Sequence, residues 1–167
     1  MNLQDIKEYF GERMVTFPET NVELSAKQRE ILYTIGLPNY NGYGGTYKML
    51  DALTLIDNRY LKFATREDDE DTYFEFLDTK TGHVYYKSFD SDYCLLNTSL
   101  ESYLIYIYIY EIYWDEVESL EIYGEYSEND NHEKYAKELN RRLLEWNDDV
   151  EKGAWFSLIE EMGYGVI

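Results

Sequence analysis

Hydrophobic positions change period along this chain. Leu3, Ile6 and Phe10 recur at helical spacing after Asn2, which can cap a helix, and Asp5 sits where the helix dipole favours an anion. Gly11 is a stop, and Pro18 makes Thr16-Phe17 extended. Ser25 with Gln28 has capping-box spacing and predicts a helix from Ala26 to about Ile35, with Ile31, Leu32 and Ile35 inward and Gly36 at its end. Asn39 to Gly45 reads as a loop leading into the sheet. Period two then takes over. Ala52 to Ile56 and Arg59 to Thr65 flank an Asp57-Asn58 turn, Thr72 to Asp78 puts Phe74 and Phe76 on one face with Glu75 between them, and His83 to Phe89 returns after the Thr79–Gly82 turn. Tyr93 to Leu96 adds a short strand.

The run Leu104 to Trp114 alternates Ile and Tyr, as a strand would, yet Thr98 with Glu101 marks a helix start, and helix is the favoured reading. Gly124 to Asn131 is polar and reads as a loop. Tyr135, Leu139, Leu143 and Trp146 predict about four helical turns. Trp155, Leu158, Ile159 and Met162 mark a last short helix capped by Gly163. Helices, then strands, then helices predict an α+β fold, with an antiparallel meander flanked by N-terminal and C-terminal helices in one domain, 1–167.

Charge narrows the functional classes. The 34 acidic residues against 15 basic ones give a formal net charge of −19. Such a chain repels phosphate backbones and anionic membranes, and attracts cationic proteins. Met1 to Phe10 carries Asp5, Lys7 and Glu8 where a signal peptide needs an apolar stretch, so a cytoplasmic protein is expected. Cys94 stands alone, which excludes an intrachain disulfide and reads as a core residue. With only His83 and His132 besides, no zinc site is expected.

Gly42-Tyr43-Gly44-Gly45 lacks the spacing of a phosphate-binding loop. Glu67 to Asp71 is a run of five carboxylates without the alternation and glycine of a calcium loop. It fits a solvated hairpin tip or a docking patch for a basic partner. No nucleophile elbow and no HExxH occurs, so no catalytic residue, metal or cofactor is assigned. Catalysis would require a cleft holding carboxylates of strongly perturbed pKa. The 19 tyrosines favour a binding surface, and Tyr106, Tyr108, Tyr110 and Tyr113 cannot share one side of a helix, so some are expected to be exposed or half-buried.

Several segments resemble the SUKH superfamily of immunity proteins, in the subfamily related to the yeast Smi/Knr regulators. Gly36-Leu37-Pro38 resembles its "GLP" element, Tyr60-Leu61-Lys62-Phe63 its "YLxIG" strand, and Asp78 to Tyr85 its "D-xx-TG-xVY" hairpin. Leu96 to Leu104 is most similar, to "LNSSLExFL", and the closing stretch with Trp155 and Gly163 resembles the terminal helix. Phe63-Ala64 replaces the usual Ile-Gly, and the insert at Glu67 to Asp71 is longer and more acidic. The resemblance implies a non-catalytic antitoxin that binds and neutralises a protein toxin, many such toxins being nucleases, and the acidic charge of the chain points to a basic surface on that partner. The alternative is a regulatory scaffold binding endogenous proteins. The candidate contacts, from charge and expected exposure, are Asp68, Asp69, Glu70, Asp71 and Tyr73.

Overall fold

A computed structural model describes residues 1–42, 45–89, 91–122 and 132–165. The predicted loop at Gly124 to Asn131 lies outside them. Helix α1 (Leu3–Phe10) starts where Asn2 accepts from the Gln4 N–H at 3.0 Å, and buries Leu3, Ile6 and Phe10. After a two-residue strand β1 (Met14–Val15), the Ser25–Gln28 capping box opens α2 (Ala26–Glu30), which continues as a π turn over Ile31–Ile35. Gly36 closes that turn with φ +98; a side chain there would lie 2.9 Å from the Val15 carbonyl oxygen. Strand β2 (Leu37–Pro38) pairs with β1.

Six antiparallel strands follow in sequence order: β3 (Tyr40–Gly42), β4 (Gly45–Ile56), β5 (Tyr60–Arg66), β6 (Phe74–Asp78), β7 (Val84–Lys87) and β8 (Cys94–Asn97). This is the expected α+β meander with helices at both ends. The loop expected over Asn39–Gly45 is instead two paired strand ends, Tyr40 opposite Tyr47 and Gly42 opposite Gly45. Polar Asn41 and the glycines hid a short strand whose one aromatic side chain, Tyr40, faces Tyr47 on β4. Asp57 and Asn58 both adopt φ +51, as a tight turn between β4 and β5 requires.

The ambiguous Ile-Tyr run is helical, within α3 (Leu100–Ile122). Its cap sits one residue later than the spacing indicated: Ser99 accepts from the Ser102 N–H at 3.0 Å, because the Thr98 side chain is occupied elsewhere. Neighbours cover α3 on nearly all sides, so Tyr106, Tyr110 and Tyr113 are buried and Tyr108 half-buried. Glu111, in the middle of this helix, pairs with Arg13 at 2.8 Å and accepts from the Asn41 N–H at 3.0 Å, tying α3 to the strand β3. Helix α4 (His132–Trp146) buries Tyr135, Leu139 and Leu143, while Trp146 at its end turns partly to solvent. Helix α5 (Ala154–Gly163) ends with Gly163 as its last residue, and Tyr164, not Gly163, takes the cap position. Cys94 is half-buried at the edge strand rather than in the core. One continuous hydrophobic cluster runs from Leu3 to Met162. Among the described residues no helix is long and apolar enough to cross a membrane.

A pocket of tyrosines over a buried glutamate

Strand β6 keeps Phe74 and Phe76 on one face, as expected, and that face is the outer one. Their rings lie 6.3 Å apart there, where Tyr60 and Tyr93 stack at 4.3 Å and help cover Phe76. Glu75 and Leu77 therefore point inward, and both are fully buried. A carboxylate in the core needs partners, and tyrosines supply them. Oε1 of Glu75 accepts from the hydroxyls of Tyr40 at 3.3 Å and Tyr73 at 3.1 Å, and Oε2 accepts from Tyr103 on α3. Burial pushes the Glu75 carboxyl up to about 7, although the three hydroxyls pull it down. The same burial raises all three hydroxyls above the ordinary tyrosine range, and the nearby carboxylate adds to this.

Above this cluster the sheet opens into a pocket of about 410 Å³ between its inner face and helices α3 and α5. Its walls are Tyr40, Tyr47, Tyr73, Tyr86, Tyr110 and Trp155. Tyr40 and Tyr47 stack at 4.7 Å, and Tyr73 and Tyr86 stack at 5.5 Å. Gly42 makes the first stack possible, since a Cβ there would lie 2.7 Å from the Tyr47 ring and 2.8 Å from the Tyr40 ring. Arg66, Ser157 and Glu161 complete the lining with polar groups.

The five expected contacts divide. Asp68, Glu70 and Asp71 are exposed on the turn between β5 and β6, and Asp69 is half-buried. Tyr73, expected at the surface, is instead buried in the pocket wall, because the turn ends just before it and its hydroxyl reaches inward to Glu75. Much of the acidic run is already paired. Glu67 bridges to Lys48 at 2.5 Å, while Asp68 at 2.7 Å and Asp69 at 3.5 Å hold Arg66. Glu70 and Asp71 have no ion pair among the described residues and face solvent. Arg66 and Tyr73, which flank the turn, both line the pocket, so acidic turn and pocket form one continuous feature.

Glu75 was missed as a site residue. Its flanking phenylalanines give an ordinary amphipathic alternation, and nothing in Phe-Glu-Phe says that glutamate is the inward member. The sole signal was the surplus of tyrosine, which can satisfy a buried carboxylate at several points. Glu75 is a carboxyl pushed up by burial beneath a cleft. No group of three His, Cys, Asp or Glu among the described residues is placed to hold a metal ion.

No protein family, curated protein or solved structure matches this chain. The likeness to SUKH proteins therefore rests on the quoted segments alone. Two of those segments have structural work. The Asp78–Gly82 turn is closed by Arg59, whose Nε and Nη2 donate to Asp78 at 3.0 and 2.6 Å. The Leu96–Leu104 segment joins the sheet to the C-terminal turn through Asn97, Thr98 and Ser102.

Proposed function

We propose that this protein is a non-catalytic binding protein of the immunity kind, which acts in the cytoplasm by docking onto a protein toxin with a basic surface and blocking its active site or substrate channel. The observation that carries this reading is the continuity of an acidic, exposed turn with an aromatic pocket. Charge on a rim speeds encounter with a cationic partner, and recessed aromatic surface supplies the anchoring contacts that hold it. A net charge of −19 favours the same class of partner and disfavours nucleic acid itself. Nuclease toxins fit because their substrate clefts are basic.

A catalytic reading has one observation in its favour, the Glu75 carboxyl pushed up to about 7 beneath a pocket. Against it, Glu75 has no exposed surface, and both its oxygens already accept from tyrosine hydroxyls. A substrate in the pocket meets tyrosine first.

The test is to co-express the chain with the toxin domain encoded beside its gene. Survival of the cells together with a co-purifying complex supports docking. Cell death with no complex counts against it, and turnover of a substrate that is lost in Glu75→Gln replaces it with catalysis.

A further inference from the structure

Hydrogen-bond direction inside the pocket restricts what can enter. Tyr40, Tyr73 and Tyr103 all aim their protons at Glu75, so the two that line the cavity, Tyr40 and Tyr73, present it only lone pairs and ring faces. Glu161 adds a second carboxylate from α5, and Ser157 stands exposed at the mouth. The one cation in the lining, Arg66, lies 5.3 Å over the Tyr73 ring and is held by Asp68 and Asp69, so its charge is balanced where it stands. Tyr47, Tyr86, Tyr110 and Ser157 bring hydroxyls that can donate or accept, so the committed acceptors on Tyr40 and Tyr73, the aromatic faces and the two carboxylates decide the preference, which is for a hydrogen-bond donor that is also a cation. An anion would meet two carboxylates, and a neutral apolar group would leave the hydroxyl oxygens and Glu161 without partners.

We propose that the tyrosine pocket binds a guanidinium or ammonium group, presented as an arginine or lysine side chain of the protein partner. The chemistry comes from the pocket, and only the source of the side chain rests on the docking reading above. At about 410 Å³ the cavity accepts one extended side chain.

A bound cation also favours the ionised form of Glu75. The titratable and charged groups of the pocket and its floor besides Glu75 are Tyr40 from β3, Tyr47 from β4, Arg66 from β5, Tyr73 just before β6, Tyr86 from β7, Tyr103 and Tyr110 from α3 and Glu161 from α5. Glu75 is the group carried near neutrality, so binding releases a proton and tightens as pH rises through about 7.

The probe is N-acetyl-arginine methylamide, compared with its citrulline counterpart, which has the same shape without the charge. Binding is followed by calorimetry and by perturbation of the tyrosine ring signals in NMR spectra. The arginine probe is expected to bind at least about tenfold more tightly than the citrulline probe, and Glu161→Gln and Glu75→Gln are each expected to weaken it about tenfold, the scale of one charge-assisted hydrogen bond. Ser157→Trp, which closes the mouth, abolishes binding. Glu161 and Ser157 lie at the rim, so their variants keep the test valid if Glu75→Gln does not fold. Equal binding of the two probes, or arginine binding unaffected by both Glu161→Gln and Ser157→Trp in folded protein, overturns the proposal. A toxin that binds the wild type and these rim variants equally overturns the pocket and leaves docking standing. An arginine probe that binds where no toxin does leaves the pocket standing, with a free guanidinium compound as its ligand.

Discussion

Asp149 accepts a 2.6 Å hydrogen bond from the hydroxyl of Ser102, joining the turn before α5 to the first turn of α3. The same carboxylate accepts from the Thr98 N–H at 2.9 Å, the Thr98 hydroxyl at 2.7 Å and Asn97 Nδ2 at 3.3 Å. Trp155 Nε1 then donates to Asn97 Oδ1 at 3.1 Å. Asn97, Ser102 and Asp149 are buried, so each depends on the others for its hydrogen bonds. Asp149→Ala strands several donors at once and is expected to cost about 3 kcal/mol of stability, while Asp149→Asn, which keeps the shape, costs less. Chemical denaturation of the two variants beside the wild type measures this, and a loss below about 1 kcal/mol for the alanine variant would show that water replaces the carboxylate.

Gly153 stands between this network and the pocket. A Cβ there would lie 2.2 Å from the Leu95 carbonyl oxygen, a backbone atom that cannot step aside. Gly153→Ala is expected to push α5 off strand β8, at a cost of about 1–3 kcal/mol. Hydrogen exchange should show loss of protection concentrated in α5 and β8. Uniform protection would mean that the helix start re-forms without strain.

Asp78 gives a pH signature. The Arg59 guanidinium, with the Lys80 N–H and Thr81, holds its carboxyl well below the usual carboxylate range despite the opposing effect of burial. In the unfolded chain an aspartate titrates near about 3.9. The folded value is lower, so this stabilisation is complete above that pH and is lost as pH falls below it. Asp78→Asn is expected to be less stable at pH 7 by about 1.5–3 kcal/mol, with the gap closing below about pH 4. Denaturation midpoints at pH 7, 4 and 3 decide it; a constant gap would mean that the Arg59 pair contributes nothing specific to the ionised form.

The architecture was legible because each element carries its own local signal. Asn2, the Ser25–Gln28 pair and Gly36 mark helix ends by backbone chemistry that does not depend on the rest of the fold. Asp57-Asn58 and Gly82 do the same for turns. What the sequence hid depends on which side of an element faces the core. Phe74-Glu75-Phe76 alternates identically in either orientation, and only pairing with β5 and β7, plus the tyrosines of β3 and α3, turns Glu75 inward. Of Tyr106, Tyr108, Tyr110 and Tyr113 only Tyr108 is half-buried, as the spacing required of at least one, and the other three are buried. A helix wrapped on nearly every side buries residues that a surface helix would expose. Among the candidate contacts, Tyr73 could not be placed because one residue of register at the end of the acidic turn decides between solvent and pocket.

Glu75 predicts the opposite pH dependence from Asp78. Its folded carboxyl, pushed up to about 7, holds a proton that the unfolded chain releases near the ordinary glutamate value of 4.5. Between those values the native state binds more protons, so stability falls as pH rises, by about 3 kcal/mol across the window, and levels off above about pH 7. Glu75→Gln lacks the titration. Whatever its stability at pH 5, it should gain on the wild type steadily up to pH 7 and no further. Parallel curves for the two proteins would show that Glu75 stays ionised throughout, held by its three hydroxyls.

The acidic turn can be tested without disturbing the pocket if the right carboxylates are chosen. Asp68 and Asp69 hold Arg66, and Glu67 holds Lys48, so reversing any of them would also free a cation beside the pocket wall. Glu70 and Asp71 are exposed without such partners among the described residues and offer the cleaner change. Each reversal to lysine alters the local charge by two, and long-range attraction acts mainly on association. The double variant Glu70→Lys with Asp71→Lys is therefore expected to associate with the toxin about tenfold more slowly at low ionic strength, with little change in dissociation. The difference should vanish near 1 M salt, where charges are screened beyond about 3 Å. Stopped-flow association over a salt series provides the measurement. An unchanged rate at low salt would remove the turn from the docking edge, and a change confined to dissociation would make its residues buried contacts rather than a steering charge.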